Sequence, residues 1–570
     1  MLLSLQAIFT DLAKSGRKGP KIHANSPISC PFSSHYPLCF LPSFMSLINR
    51  NKDLRCYVGF QLGLIQIIMK NVFSGQLSIA QQNNSGSDTV ATASLIRPAT
   101  SVNFTGKPVV KNGSGMEKAF YVHLETYAPI LKSERIAYRE NEKSLMVGKD
   151  QLRAGWVIFL SCKTLDTIAL LKQVLPLLKS KNLSFCLVKN QITQYRLNAG
   201  AFGENEVGKV ISIFPPSEEA AKQLVAELNS LTESYKGPVI PGALRLGNLV
   251  YVQLATDGKE PGQIQLSLPN IKKVPFAIQE KFRIRNRRKP ILGKYYVPVQ
   301  LLRASAKGDI FKAINLKKFA FNWCLIKQGK PVALDDHFDR DMRDRLLWQK
   351  EVLETIGPDI PTPMILDYFE EGDSTYLVLS FAEGESLGKV ARGILNGKTW
   401  NELEALPQIQ LLDWFLKAII IVHQIHERGF VHRDITDSNF LVLENRELCI
   451  IDFELAYSIA QQKPNPPFLL GTFGYAAPEQ IAHAVAHPKE DIYSLGALLC
   501  FLVTGSPPFE FINSNPNMTR VKLTRLTGNN ALTNLIMQCL SLERRSRPEI
   551  ADLEQRISTY INTIKTSCHA

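Results

Sequence analysis

The chain has 570 residues, of which 45% are hydrophobic and 21% charged, and 66 Lys+Arg against 52 Asp+Glu give a formal net charge of +14. This is the balance of a soluble globular protein with room for about three or four domains. The basic excess suits an acidic partner such as a nucleotide or an acidic peptide. Without interleaved basic and aromatic residues it argues against a nucleic-acid module, and the local cluster RIRNRRK (283–289) reads as a solvated linker.

Ten cysteines are scattered from Cys30 to Cys568 with no C-x-x-C pair. That argues against a zinc ribbon or a disulfide scaffold and for reduced thiols in the cytoplasm. VGFQLGLIQIIM (58–69) is too short to cross a bilayer, so no transmembrane segment is expected there.

Residues 1–116 are expected to be a disordered or poorly ordered segment and linker. The first 68 residues have no sustained period, Met69 could be a true start, and 80–115 are rich in Ser, Asn, Thr and Gly. Residues 117–280 then read as a small α+β domain. GWVIFLS (155–161), SFCLVK, KVISIFP and NLVYVQL (248–254) are strands, and Leu165, Ile168, Leu171, Leu175 and Leu178 share a helical face that Pro176 bends. Ser217 caps EEAAKQLVAELNSL, with Glu218 and Glu219 at the positive end of the helix dipole. From about 285 to 562 short strands give way, near 385, to long helices, as in a small sheet lobe beside a helical lobe. Residues 563–570 are expected to be a tail, with Cys568 and His569 too few to hold a metal.

The second half carries a set of motifs in fixed order. FVHRDITDSNFLV (430–442) contains His432, Arg433 and Asp434, with Asn439 five residues after the Asp; IDFE places Asp452 before Phe453 and Glu454. GTFGYAAPEQ supplies Ala477-Pro478-Glu479, DIYSLGALL begins at Asp491, and RRSRP offers Arg547. Any one of these is weak; in this order and spacing they resemble the eukaryotic-like protein kinases over about 285–560.

That resemblance implies a bilobal protein kinase fold, with a small β-rich N-lobe and a large helical C-lobe, using ATP and Mg2+. Asp434 would accept or orient the substrate hydroxyl proton, and Asn439 and Asp452 would hold magnesium, a hard cation that prefers oxygen. Lys327, in WCLIK (323–327), would pair with the ATP phosphates. Gly308 stands at the third glycine of the phosphate loop, whose first two glycine places hold Arg303 and Ser305; Arg303, Ser305 or Lys307 could offer other donors. Leu325, Leu379 and Leu441 would line the adenine pocket. Glu479 and Arg547 resemble the family's buried structural ion pair, and Asp491 its anchor for the catalytic loop. By charge logic Arg433 could meet a phosphate on Ser458 or Thr472.

The lobe also departs from the pattern. The residue expected to be the glutamate partner of Lys327 is Gln349, which can hydrogen-bond the ammonium without neutralising it. Glu351 is two positions on, about 200° round the helix. Leu325 replaces a smaller alanine, and Thr436 stands where Ser/Thr kinases keep a lysine.

IDFELA together with LLGTFGYAAPEQ is similar to the kinase domains of class III lanthipeptide synthetases, in which Asp-Phe-Glu is common. The 117–280 region resembles their N-terminal phosphothreonine-lyase-like domain. In that family a kinase phosphorylates Ser/Thr of a precursor peptide, a lyase eliminates the phosphate, and a zinc cyclase adds a Cys thiol. The lyase strand should read Gly-Trp-Lys-x-His, giving a base and an acid on one strand face. Here those places hold Val157 and Phe159, and a later lysine place holds Cys186. Lys209 and Arg245 remain, as surface or structural cations. No lyase activity is expected, and a separate lyase, cyclase or transport partner would act in trans. Two functions stay open: a protein or peptide kinase directed at Ser/Thr hydroxyls, or a pseudokinase that binds peptide or partner enzymes without phosphoryl transfer.

Overall fold

The computed structural model describes residues 126–148, 154–257, 264–282, 291–336, 338–469, 471–482, 484–512 and 515–569. The expected N-terminal segment (1–116) and the RIRNRRK cluster lie outside them.

The first body is a twisted sheet with its helices on one face. Its elements run α1 (Ala128–Ser133), β1 (Arg139–Glu140), β2 (Ser144–Val147), β3 (Gly155–Leu160), α2 (Thr167–Ser180), β4 (Ser184–Val188), α3 (Gln191–Asn198), β5 (Ile211–Phe214), α4 (Glu218–Leu231), β6 (Leu244–Arg245), β7 (Val250–Asp257) and β8 (Ile264–Ser267). The strand order is β1-β2-β4-β5-β3-β7-β6, with β8 pairing β7, and every pairing is antiparallel. Alternation along the strands sends Ile158, Leu160, Ile211 and Val250 to a core shared with Leu171 and Val174 of α2 and Leu224 and Leu228 of α4. Ser217 caps α4 by accepting the Ala220 N–H. The buried stripe of α2 differs from expectation: Leu165 precedes the first helical turn and is exposed, while Leu170 and Val174 join Leu171, Leu175 and Leu178 in the core.

The second body begins with an antiparallel sheet ordered β12-β13-β11-β10-β9. Its strands are β9 (Tyr296–Arg303), β10 (Ile310–Asn315), β11 (Asn322–Gly329), β12 (Ile365–Glu371) and β13 (Ser374–Ser380), with helix α5 (Met342–Ile356) inserted after β11. Asp341 and Asp344 form a capping box at the start of α5, satisfying backbone donors that the first turn leaves free.

The helical lobe follows: β14 (Gly384–Ser386), α6 (Leu387–Leu395), α7 (Ala405–Glu427), β15 (Phe430–Val431), β16 (Phe440–Leu443), β17 (Leu448–Ile450), β18 (Tyr457–Ser458), α8 (Pro478–Ile481), α9 (Lys489–Thr504), α10 (Pro516–Thr527), α11 (Asn530–Cys539) and α12 (Ile550–His569). By length and composition α7 could cross a membrane, but Leu411, Phe415, Ile419 and Val422 bury it in the lobe core. Helix α9 is buried along its length. The two-lobed arrangement is the one expected. The end of the chain is not: α12 runs on to His569, because Ile564 packs on the core and Thr563, Thr566 and Ser567 bond back to carbonyls one turn earlier.

Glu479 and Arg547 make a bidentate pair at 2.5 and 2.8 Å, and Arg547 also donates to the Lys489 carbonyl at 2.8 Å. Removing the carboxylate leaves a buried guanidinium uncompensated. Glu479→Ala should cost about 3 kcal/mol in urea unfolding, and Glu479→Leu with Arg547→Met should recover much of the loss.

Candidate active site

Asp491 on α9 shapes the loop that carries Asp434. Its carboxylate accepts the backbone N–H groups of His432 and Arg433, each at 2.8 Å, and lies 2.8 Å from His426 Nε2. Burial alone would raise its pKa, but His426, His432 and the Arg433 N–H outweigh burial and hold it below the usual carboxylate range. The anchored backbone passes through Arg433 in a left-handed conformation, φ 66°, and delivers Asp434 to the cleft.

Asp434 is the centre of a small network. Its Oδ1 accepts the Thr472 hydroxyl at 2.7 Å and its Oδ2 accepts Asn439 Nδ2 at 2.9 Å; the same amide also donates to the Asp434 carbonyl at 2.8 Å. Burial, with the charges of Asp452 and Glu454 adding to it, pushes the Asp434 carboxyl up to about 6 against the opposing bonds from Thr472 and Asn439.

Asp452 follows β17 at φ 70° and Phe453 behind it is fully buried, 4.7 Å from the His432 ring. Lys327 of β11 reaches across from the sheet lobe. Its Nζ lies 2.7 Å from Asp452 Oδ1 and donates to Gln349 Oε1 of α5 at 3.3 Å. Gln349 therefore does bond the ammonium, Glu351 is exposed away from it, and the neutralising charge comes from Asp452. Burial would raise the Asp452 carboxyl, yet Lys327, with Lys307 and His432, holds it low.

The strand turn 303–309 is tied down. The Ser305 hydroxyl donates to the Gly308 carbonyl at 2.7 Å, Lys330 Nζ donates to the Ser305 carbonyl at 2.8 Å, and Lys307 Nζ lies 3.4 Å from Glu454 Oε1. The turn thus occupies the Ser305 hydroxyl, which was expected to face nucleotide, and points Lys307 at Glu454 instead. Gly308 is needed for close approach: a Cβ there would meet the Gln328 carbonyl oxygen at 1.6 Å. Leu325 and Lys327 alternate onto one face of β11, and Leu325 pairs across to Leu379. Leu379 is buried in the core beneath the sheet, whereas Leu325 and Leu441 are half-buried.

Arg433 differs from expectation. It pairs with buried Glu490 at 3.0 Å and donates to the Phe468 carbonyl at 3.0 Å. Ser458 is buried and Thr472 is engaged by Asp434, so neither meets Arg433. Glu490, one residue before Asp491, had no distinguishing sequence signal, and Thr472, read as a place for phosphate, instead bonds Asp434.

In the first body, the places of the expected charged pocket are apolar. Val157 and Phe159 cluster with Ile240, Ala243, Tyr251 and Ala255. Lys209 is not a surface cation: its side chain is 6% exposed, 3.0 Å from Glu206 and over the Phe159 ring. Arg245 donates to the carbonyls of Gly247 and Asn248 at 3.0 and 2.9 Å.

Residues 363–557 match the protein kinase domain family, and residues 137–256 match the family described as RamC, N-terminal domain. Serine/threonine-protein kinase B of Synechocystis sp. is 27% identical over 263 residues, covering 44% of this chain and 44% of that protein. Serine/threonine-protein kinase C of the same organism is 28% identical over 228 residues, 38% of this chain and 40% of that protein. Serine/threonine-protein kinase pkn2 of Myxococcus xanthus is 28% identical over 249 residues, 40% of this chain and 29% of that protein. The chain spans less than half the length of these curated relatives. It carries a eukaryotic-like protein kinase domain with the bilobal fold of that family.

The close approach at Gly308 is testable. Gly308→Ala sets a methyl against backbone that cannot swing aside, so it should cost about 2 kcal/mol in thermal or urea unfolding.

Proposed function

We propose that this chain is an ATP- and Mg2+-dependent protein or peptide kinase that transfers the γ-phosphate of ATP to Ser/Thr hydroxyls. The observation that carries the reading is convergence in one cleft: Asn439 and Thr472 on Asp434, and Lys327 on Asp452.

Phosphoryl transfer needs positioning and charge neutralisation more than covalent chemistry. Asp434 orients the substrate hydroxyl and takes its proton; Thr472 and Asn439 hold the carboxylate in place for it. Asn439 commits its Nδ2 to Asp434 and so keeps Oδ1 as a ligand atom, while Asp452 commits Oδ1 to Lys327 and keeps Oδ2. An amide oxygen and a carboxylate oxygen suit a hard cation that takes its other ligands from phosphate and water. Magnesium held there supplies charge neutralisation at the phosphate oxygens. Lys327 exchanges its contact with Asp452 for the ATP phosphates, Gly308 lets the turn sit close above them, and Leu325, Leu379 and Leu441 bound the adenine side.

The likeness of 137–256 to a RamC N-terminal domain, with Asp-Phe-Glu downstream, supports a lanthipeptide-like pathway. In that pathway the upstream domain (117–280) handles peptide without eliminating phosphate, since Val157, Phe159 and half-buried Cys186 offer neither a strong base nor a strong acid. A separate lyase or cyclase completes the chemistry. The scaffold alternative is favoured by Gln349, which leaves Lys327 without an α5 carboxylate, by the bulk of Leu325 and by the glycine-poor phosphate loop.

Full-length protein with Mg2+ and ATP should label itself or a Ser/Thr peptide, and Asp452→Ala should abolish the signal. No transfer, with no nucleotide-induced thermal shift, would sink the kinase reading. Because the active form of Asp434 is the carboxylate, the rate should fall as pH drops through about 6. Thr472→Val, which removes a bond favouring that carboxylate, should move the acid limb upward. Incubation with a phosphopeptide should leave its mass unchanged; loss of phosphoric acid would show that the upstream domain is a lyase.

A further inference from the structure

The stretch 466–469, just ahead of Thr472, is gripped by three arginines. Arg340 donates to the Pro466 carbonyl at 2.7 Å, Arg345 to the Leu469 carbonyl at 3.2 Å and Arg433 to the Phe468 carbonyl at 3.0 Å. The Phe468 ring lies between the guanidinium groups of Arg340 and Arg345, 4.4 and 4.8 Å from its centroid. Arginines clustered at such a segment would ordinarily suit a phosphate. Here each gives a donor to a segment carbonyl, and two of them are neutralised from within: Arg433 by Glu490 at 3.0 Å and Arg340 by Asp336 at 2.6 Å.

Arg345 is held differently. It is 1% exposed, its Nε is buried without a hydrogen-bond partner, and it also reaches the first body, donating to the Tyr195 hydroxyl of α3 at 3.3 Å. Around it the two bodies interlock. Buried Asp335 accepts the Thr164 N–H at 2.6 Å and Asn198 Nδ2 at 3.3 Å, Lys163 pairs with Asp339, and Ala199 packs on the helical-lobe core. Glu204 accepts the Ala306 N–H of the phosphate-loop turn at 2.7 Å. A guanidinium held by neutral acceptors is sensitive to the loss of either one, since an unmade buried bond is costly.

We propose that the first body is a built-in positioning element for the phosphoryl-transfer site: through Tyr195 and Arg345 it fixes α5 and the 466–469 stretch, doing the work that segment phosphorylation does elsewhere. This rests on the kinase reading for its rate consequence, but not for its structural one. Tyr195 and Arg345 are positioning residues; neither touches the reacting groups. Tyr195→Phe keeps the ring and removes only the hydroxyl. Arg345→Lys keeps the charge on a shorter side chain, whose ammonium stops about one bond short of the Nη2 position that serves both Tyr195 and Leu469.

The experiment uses full-length protein and three readouts. Tyr195→Phe should speed amide hydrogen exchange across 466–477 by about fivefold and lower kcat by a similar factor, the size expected for a modest coupling energy. The KM for ATP should stay near that of the parent, the unfolding temperature should drop by only a few degrees for the lost buried bond, and Arg345→Lys should move the same readouts in the same direction. Phosphatase treatment of the parent, and Ser458→Ala, should leave the rate unchanged. Parental exchange and kcat in Tyr195→Phe, or a rate that collapses on phosphatase treatment, would overturn the proposal. If the parent transfers no phosphate, the kinase reading fails by itself, and the exchange comparison still decides whether Tyr195 holds the segment.

Discussion

The contact between Lys327 and Asp452 joins the two lobes at the point where chemistry is expected. One partner stands on a strand of the small sheet and the other follows a strand of the helical lobe, so the pair exists only when the lobes are closed to a particular distance. Taking both charges partly out of water is repaid by mutual attraction only if the geometry is good. At 2.7 Å it is, and the neighbouring Gln349 adds a bond without adding charge. A glutamate at 349 would compete with Asp452 for the same ammonium. Its replacement by an amide leaves Lys327 with one carboxylate, and so ties the lysine more firmly to the opposite lobe.

Much of this arrangement was legible in the sequence because backbone geometry fixes it. The spacing from Asp434 to Asn439 is that of a turn that returns the amide to the carboxylate, and the buried pair of Glu479 and Arg547 lies where the motifs put it. What the sequence concealed depends on chain segments far apart in number. Arg433 looks like a phosphate ligand until Glu490 is brought beside it, 57 residues on. Ser305 looks like a donor toward nucleotide until the turn closes its hydroxyl on Gly308. Lys209 reads equally as a surface or a structural cation until β3 brings Phe159 beneath it and Glu206 beside it. The end of α12 was underestimated because its last turns are polar, and only packing of Ile564 tells a docked helix from a tail.

Glu454 is better understood beside its neighbours than as a departure from a motif. It is buried, it faces Lys307, and its charge adds to the field that raises the Asp434 carboxyl. A glycine at that position would offer backbone freedom and no charge. The glutamate trades that freedom for an electrostatic contact to the turn above the cleft, so the same side chain bears on loop position and on acidity.

The turn above the cleft has a further consequence. Gly308 rests on the Gln328 carbonyl, Lys330 holds the Ser305 carbonyl, and Glu204 holds the Ala306 amide. A glycine-rich flap that is loose before binding loses conformational entropy when a ligand orders it, and that loss is subtracted from affinity. In this chain the ordering is completed during folding. The site therefore begins with fewer flexible glycines and less entropy to lose, an offset to the close backbone approach that two missing glycines restrict.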